Sequence, residues 1–268
     1  MHQEKIKPLR WAGSKSNVAQ QITGFLDFSR QYVEPFCGSA AFFFDKKPKK
    51  AVLNDLNHPL ICCYEDLRKN PIRLWEIYNE IEIDPQSYYN VREMFNDIPP
   101  SVERSAYFLY LNHYCFNGIY RTNLKGRFNT PFGASNKAKA KLSLSDVVEF
   151  SNVLESCEFY NLDFEQFLSE INPEGACIYM DPPYFTSEAR VFGEYGEKIF
   201  GIRDLIRLRD AADRLSKNNI VAVSYRDCGE FRELFGHMHI SEITVTRNVG
   251  GFSGRRKREV ELLARAGE

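Results

Sequence analysis

A five-residue apolar run at positions 176–180 (Ala-Cys-Ile-Tyr-Met) stops at Asp181-Pro182-Pro183-Tyr184. The run has the length of a strand and is too short for a core helix, and two successive prolines forbid continuing either. The chain must therefore contain a strand that ends on a carboxylate. Neither Pro182 nor Pro183 has a backbone donor, so the turn is stiff and the Pro182 carbonyl is free to accept. In α/β sheets, ligands bind at the carboxyl ends of strands. An Asp carboxylate beside a backbone carbonyl offers two acceptors, matching the two hydrogens of an aromatic amino group. Tyr184 adds a ring on which a base can stack. The plainer alternative is an Asp-initiated turn with no ligand.

The surrounding pattern makes that strand one of several. Short apolar runs recur at 32–36, 51–55, 158–163 and 220–225, a helical period spans 203–217, and runs at 244–249 and 259–264 form a late hairpin. Strands alternating with helices predict an α/β sheet. Between 65 and 144 the strand rhythm lapses: helix-like stretches cover 67–83 and 102–116, Pro99-Pro100 separates them, and a Gly/Asn-rich stretch fills 117–135. The expected organisation is a sheet domain built from 1–64 and 145–268, interrupted by a mainly helical insert, 65–144, carrying a β-hairpin. A chain of 268 residues is long enough for both.

Charge placement agrees with this division. The whole chain is close to neutral, −1, which by itself discourages a nucleic-acid partner. Yet from Arg104 to Ser145 there are seven basic residues (Arg104, Arg121, Lys125, Arg127, Lys137, Lys139, Lys141) and no Asp or Glu, leaving −8 elsewhere. Interleaved with Tyr114, Phe116, Tyr120, Phe128 and Phe132, that block suits phosphates and bases, a solvated basic face being the alternative. The seven cysteines are odd in number and scattered, with no CxxC, so neither disulfides nor a metal site are expected. No apolar stretch approaches the ~20 residues of a membrane span, and no signal-like segment opens the chain. A cytoplasmic protein is expected.

A second constellation precedes the insert. Glu34-Pro-Phe36-Cys-Gly38-Ser-Ala-Ala41 sits between a strand and a helix, where small residues let a ligand approach the backbone. Asp55 ends the next strand 21 positions after Glu34, the spacing at which an acid reaches ribose hydroxyls in nucleotide-binding sheets. The loop is not GxGxxG and no Walker lysine follows, so a nucleoside ligand fits better than a phosphate cradle.

In order along the chain, these motifs resemble the Dam-like (alpha-group, D12 class) DNA adenine-N6 methyltransferases. The resemblance runs through Lys7-Pro-Leu-Arg10-Trp11-Ala-Gly-Ser-Lys15, Glu34-Pro-Phe-Cys-Gly38, Leu53-Asn-Asp55-Leu-Asn57, Asn117-Gly-Ile-Tyr-Arg121-Thr-Asn123-Leu-Lys-Gly126-Arg-Phe-Asn129-Thr-Pro131-Phe-Gly133, Asp181-Pro-Pro-Tyr184 and Glu259-Val-Glu-Leu-Leu263. It implies a Rossmann-like methyltransferase sheet flanked by helices, S-adenosylmethionine as cofactor without metal, and N6 of a flipped adenine as methyl acceptor. Asp181, Pro182, Pro183 and Tyr184 are then the catalytic group. Trp11, Lys15, Glu34, Phe36, Gly38, Asp55, Asp163, Phe164 and Asp181 are candidates for the cofactor, Lys15 being suited to a carboxylate. Arg10, Phe116, Asn117, Gly118, Ile119, Tyr120, Arg121, Asn123, Lys125, Lys137 and Lys139 are candidates for DNA. Arg121 aligns with a guanine-reading arginine, and Phe116 and Ile119 are placed to fill the gap left by the flipped base.

The implied partner is double-stranded DNA, with no membrane. A monomer or weak dimer is expected, and a cognate restriction endonuclease is a candidate partner. Ala134 stands where GATC-reading relatives carry an arginine, so simple GATC reading is not expected, and Ala40 replaces a loop glycine. An N4-cytosine methyltransferase and a non-catalytic DNA-binding module are the competing readings.

Overall fold

The computed structural model describes residues 7–11, 15, 19–133, 140–184, 200–248 and 256–267. Seven strands form one sheet: β1 (Tyr32–Glu34), β2 (Ala51–Asn54), β3 (Cys157–Tyr160), β4 (Cys177–Met180), β5 (Ile220–Arg226), β6 (His239–Asn248) and β7 (Arg256–Ala266). Their order is β3-β2-β1-β4-β5-β7-β6. The first five are parallel, while β7 runs antiparallel to both β5 and β6. This is the expected Rossmann-like α/β sheet. The late hairpin is longer than the sequence pattern indicates, because each of its strands continues past the apolar run that marks it.

Each strand presents alternate residues to opposite faces. Tyr32, Leu53, Cys177, Tyr179, Ala222 and Leu263 pack on one face, whereas Val33, Val52, Ile178, Met180, Val221, Val223, Leu262 and Ala264 pack on the other. Helices α8 (Phe164–Ile171), α9 (Ile202–Leu215) and α10 (Gly229–Phe235) cover the second face. The first face carries α1 (Ala19–Thr23), through Ile22, with α2 (Ala41–Lys46), α3 (His58–Lys69) and α7 (Leu144–Leu154), and its core continues without a break into α4 (Pro71–Glu80), α5 (Pro85–Asp97) and α6 (Val102–Tyr114).

The segment expected to form an insert lies in the crossover from β2 to β3. Helices of this crossover begin where the sequence supplies caps: the Asn57 side chain accepts from Leu60 N–H, Asp84 from Gln86 and Ser87, and Ser101 from Arg104. The helix expected over 67–83 is two, broken at Pro71, and α5 lies in a stretch where the sequence reading placed no element. Beyond α6 the chain makes a narrow hairpin held by bridges Cys115↔Phe132 and Thr122↔Phe128, turning at residues 123–126 with Gly126 at φ 71°.

Candidate active site

The order of the sheet reverses between β1 and β4, leaving a crevice at their carboxyl ends, where α/β sheets bind ligands. Glu34 ends β1, Asp55 follows β2, and Asp181 follows β4, so three carboxylates stand on neighbouring strands. Strand parity then selects the face. Two residues beyond Tyr32, Tyr179 and Ala222 come Glu34, Asp181 and Ser224, and two residues before Leu263 comes Glu261. All four therefore point to the face that bears the insert.

Asp181 is held by a buried network. Lys15 Nζ lies 3.0 Å from Asp181 Oδ1 and 3.2 Å from Glu261 Oε2. It also donates to the Tyr184 hydroxyl at 2.6 Å, and that hydroxyl donates to Glu261 Oε1 at 2.8 Å. Lys15 is 6% exposed and Glu261 2%. Ser224 Oγ donates to Asp181 Oδ1 at 2.8 Å, and the Tyr179 hydroxyl, 2.8 Å from Ser224 Oγ, backs it. Both contacts to Asp181 fall on Oδ1, leaving Oδ2 without a protein partner among the described residues. Burial raises the Asp181 carboxyl above the usual range; Lys15 opposes that, the Glu261 charge adds to it, and the Ser224 hydroxyl opposes it. The Tyr184 ring meets Tyr225 edge-on at 5.1 Å.

The glycine loop is the second part of the site. Gly38 has φ 45°, and a Cβ there would lie 2.7 Å from the Trp11 indole. Its N–H donates to Asp55 Oδ2 at 2.9 Å, and its carbonyl accepts from the Tyr64 hydroxyl at 2.7 Å. Asp55 Oδ1 takes the Asn57 N–H at 2.9 Å, so each Asp55 oxygen already holds one backbone donor. Ala40, expected from the resemblance to replace a loop glycine, is left-handed, φ 47° and ψ 44°, a conformation that glycine adopts more readily. Glu34 is buried and its Oε2 has no hydrogen-bond partner among the described residues. Burial pushes its carboxyl well above the usual range, offset in part by the Tyr32 hydroxyl and reinforced by Asp181 and Asp55. Phe36 packs against Phe164 at 5.2 Å, with Phe200 beside both. Asp163 caps α8 through Glu165 N–H and pairs with Arg207, so its carboxylate has structural partners already.

The hairpin assembles the DNA candidates unevenly. Arg121 is exposed, its Nε donating to Asn129 Oδ1 at 2.9 Å; Lys125 and Asn123 are exposed at the tip. The Asn123 side-chain oxygen is tied to the Lys125 and Arg127 N–H groups, fixing the turn. Phe116 is 50% exposed and Leu124 86%. Asn117 and Gly118 supply the left-handed bend between Phe116 and the partly buried Ile119. Tyr120 packs inward, stacked on Trp11 at 6.0 Å and against Phe108 and Phe128. Arg10 is clamped beneath α6: its N–H donates to Asn112 Oδ1, its carbonyl accepts from Asn112 Nδ2, and its Nη1 donates to the His113 carbonyl. Lys137, Lys139 and Ala134 lie outside the described residues. Within the basic block, Arg127 pairs with Asp97 and Glu93, Arg104 with the Phe95 carbonyl and ring, and Lys141 with the Asn79 carbonyl. Three of the seven charges thus bind the insert to itself.

Three residues given no role from sequence prove central. Asn54 ties together the loops after β1, β2 and β3, donating to the Pro35 and Leu162 carbonyls and accepting from Leu162 N–H. Ser224 and Glu261 surround Asp181 from β5 and β7. The signal for both was the period-2 alternation, which puts a polar residue at a core-facing position. Lys15, expected to meet a cofactor carboxylate, gives its ammonium to Asp181, Glu261 and Tyr184 within the protein. Among the described residues no group of three or more potential metal ligands exists, and no helix is long and apolar enough to cross a membrane.

Comparison with known proteins places this geometry. A family model described as D12 class N6 adenine-specific DNA methyltransferase matches residues 11–249. The chain is 33% identical over 265 residues to the type II methyltransferase M1.LlaDCHI of Lactococcus lactis subsp. cremoris, covering 95% of this chain and 93% of that protein. It is 29% identical over 262 residues to the DNA adenine methylase of Escherichia coli (strain K12), covering 96% and 93%. It is likewise 29% identical over 287 residues to the type II methyltransferase M.MjaIII of Methanocaldococcus jannaschii, covering 97% and 98%. The N4-cytosine and non-catalytic readings find no support in these matches. A strand that ends in Asp181-Pro-Pro-Tyr184, and a family match over residues 11–249, make this chain an enzyme of the D12 class of N6 adenine-specific DNA methyltransferases.

Proposed function

We propose that the enzyme moves a methyl group from S-adenosylmethionine to N6 of an adenine turned out of duplex DNA, with Asp181 and the Pro182 carbonyl holding the amine. The observation that carries this reading is the position of Asp181. It sits at the switch point of the sheet, with Oδ1 fixed by Lys15 and Ser224 and Oδ2 left for a ligand. The division into a catalytic unit, 1–64 and 145–268, and a target-reading unit, 65–144, belongs to the same reading.

The residues present fit the cofactor. Glu34 offers a buried acceptor without a partner, Gly38 keeps the loop free of side chain, and Phe36 and Phe164 supply an aromatic wall. Asp55 retains acceptor capacity beyond its two backbone donors, since a carboxylate takes about four hydrogen bonds. Carboxylates and rings together favour a cationic nucleoside. When bound, S-adenosylmethionine supplies an electrophilic methyl group on a positively charged sulfur. Glu34, Phe36, Gly38, Asp55 and Phe164 would hold it, with Trp11 supporting Gly38, Asp163 ordering the start of α8, and Lys15 acting on Asp181.

An exocyclic adenine amine is a poor nucleophile because its lone pair is delocalised into the ring. Hydrogen bonds from N6 to Asp181 and to the Pro182 carbonyl favour a tetrahedral nitrogen and put negative potential where positive charge develops. The surplus amine proton leaves to solvent, so Asp181 need not be a strong base. Extruding the base costs a few kcal/mol of stacking, and the Tyr184 ring, fixed through its hydroxyl, receives it. Arg121 reads a base edge, Phe116 and Ile119 take the place of the extruded base, and Lys125, with Lys137 and Lys139, meets phosphates. Incubation with methyl-labelled S-adenosylmethionine and unmethylated duplex DNA tests the proposal: label enters the DNA. Label found only in RNA or protein supplied alongside would overturn it.

A further inference from the structure

We propose that Glu261, assisted by Ser224, is a positioning residue for methyl transfer: it neutralises Lys15, so that Asp181 presents an unquenched negative charge to the amine. The proposal rests on the role of Asp181 given above. Lys15 Nζ stands almost midway between the two carboxylates, 3.0 Å from Asp181 and 3.2 Å from Glu261. Paired with Lys15 alone, Asp181 would form a neutral pair, and most of its field at the amine would cancel. With Glu261 these three groups, two carboxylates and one ammonium, sum to one surplus negative charge, and the ammonium and the Glu261 carboxylate that share it are buried while Asp181 keeps 20% of its side chain exposed toward a ligand.

The same residue fixes geometry. Glu261 accepts from the Tyr184 hydroxyl, which also takes a hydrogen bond from Lys15, so the ring that receives the base and the carboxylate that holds the amine share one anchor. Glu261 reaches this point because β7 pairs with β5 in the register Ser224↔Leu263 and Arg226↔Glu261, which brings it alongside Ser224 on the same face.

Among the described residues, the groups that act on Asp181 are Lys15, Glu34 on β1, Tyr179 on β4, Ser224 on β5, Glu261 on β7 and, through Lys15, Tyr184. Two of them act in opposite senses: the Glu261 charge raises the Asp181 carboxyl, and the Ser224 hydrogen bond lowers it. Glu261→Gln should therefore move the acid limb of kcat/KM, which reports groups of the free enzyme, to lower pH. Ser224→Ala should move it to higher pH. In both variants kcat falls about tenfold or more, the scale on which outer partners of functional ligands act, while DNA affinity stays near that of the wild type. Glu261→Asp, which keeps the charge, leaves the limb in place.

The assay uses the full chain with S-adenosylmethionine and duplex DNA, and thermal melting of each variant shows that it is folded. Opposed limb shifts support the proposal. Unmoved limbs, or shifts in the same direction, overturn it even if kcat falls, because simple loss of structure lowers amplitude without moving the limb. Asp181→Ala separates the two levels. Normal turnover by that variant refutes the reading of Asp181, whereas an inactive Asp181→Ala beside a wild-type-like Glu261→Gln refutes only the role of Glu261.

Discussion

At the carboxyl-terminal edge of the sheet, where the parallel strands end, Lys15, Asp181, Glu261 and Tyr184 are packed so closely that one ammonium serves two carboxylates and a phenol. At the hairpin of the insert, Arg121, Lys125 and Leu124 stand in solvent, and the structural work is done by Asn123, Asn129 and the aromatic residues beneath. Both regions are polar, but they differ in what fixes their charges. Buried groups are oriented before substrate arrives, so their field acts at full strength on a reacting atom. Exposed basic groups meet phosphates and base edges, and contribute affinity and sequence choice that salt weakens. Variants at the edge should therefore change rate, and variants at the hairpin should change address.

The sharpest break between the two regions is at Asp181. Asp181→Ala should lower single-turnover methyl transfer by about a thousandfold or more while DNA binding survives; equal losses in both would erase the distinction. Next in size, Arg121→Ala should remove about 1–3 kcal/mol of discrimination at one base pair, read by comparing target and base-substituted oligonucleotides. Lys125→Ala should instead weaken all sequences alike and reduce the salt slope by about one. A uniform loss for Arg121→Ala would reassign it to phosphate.

Gly38→Ala tests the loop that joins the two regions, since Trp11 covers Gly38 on one side and stacks on Tyr120 of the insert on the other. A Cβ at positive φ and 2.7 Å from the indole should destabilise the fold by about 1–3 kcal/mol, seen as a lowered melting temperature and weaker cofactor binding. The smallest effect belongs to Glu34. Its carboxyl is raised in the folded state, so its contribution is most favourable below the unfolded carboxylate range and is lost as pH rises through the folded value. Glu34→Gln should therefore raise stability at neutral pH, by on the order of 1 kcal/mol, while weakening cofactor binding; melting at pH 4 and pH 8 compares the two ends.

How much was legible in the sequence follows the range of each interaction. The strand 176–180 and its stop at Asp181 are local, and so is the glycine loop; both stand where the sequence put them. The break of the 67–83 helix at Pro71 was local too, and the apolar period running through it masked the break. Helix α5 escaped because its buried positions, Tyr88, Val91 and Phe95, are few and set among polar residues. Glu261 lies 77 residues from Tyr184, and only the β5–β7 register brings the two together. The sign of the basic block is legible in the sequence, but sign does not report burial: Arg104, Arg127 and Lys141 face partners within the insert.

The central claim is that the carboxyl end of β4 presents acceptors to an adenine amine. It is tested most directly by digesting enzyme-treated duplex DNA to nucleosides and identifying the methylated species. The account predicts N6-methyladenine, formed by the wild-type chain and absent with Asp181→Ala. N4-methylcytosine, or N6-methyladenine formed equally well without Asp181, would contradict it.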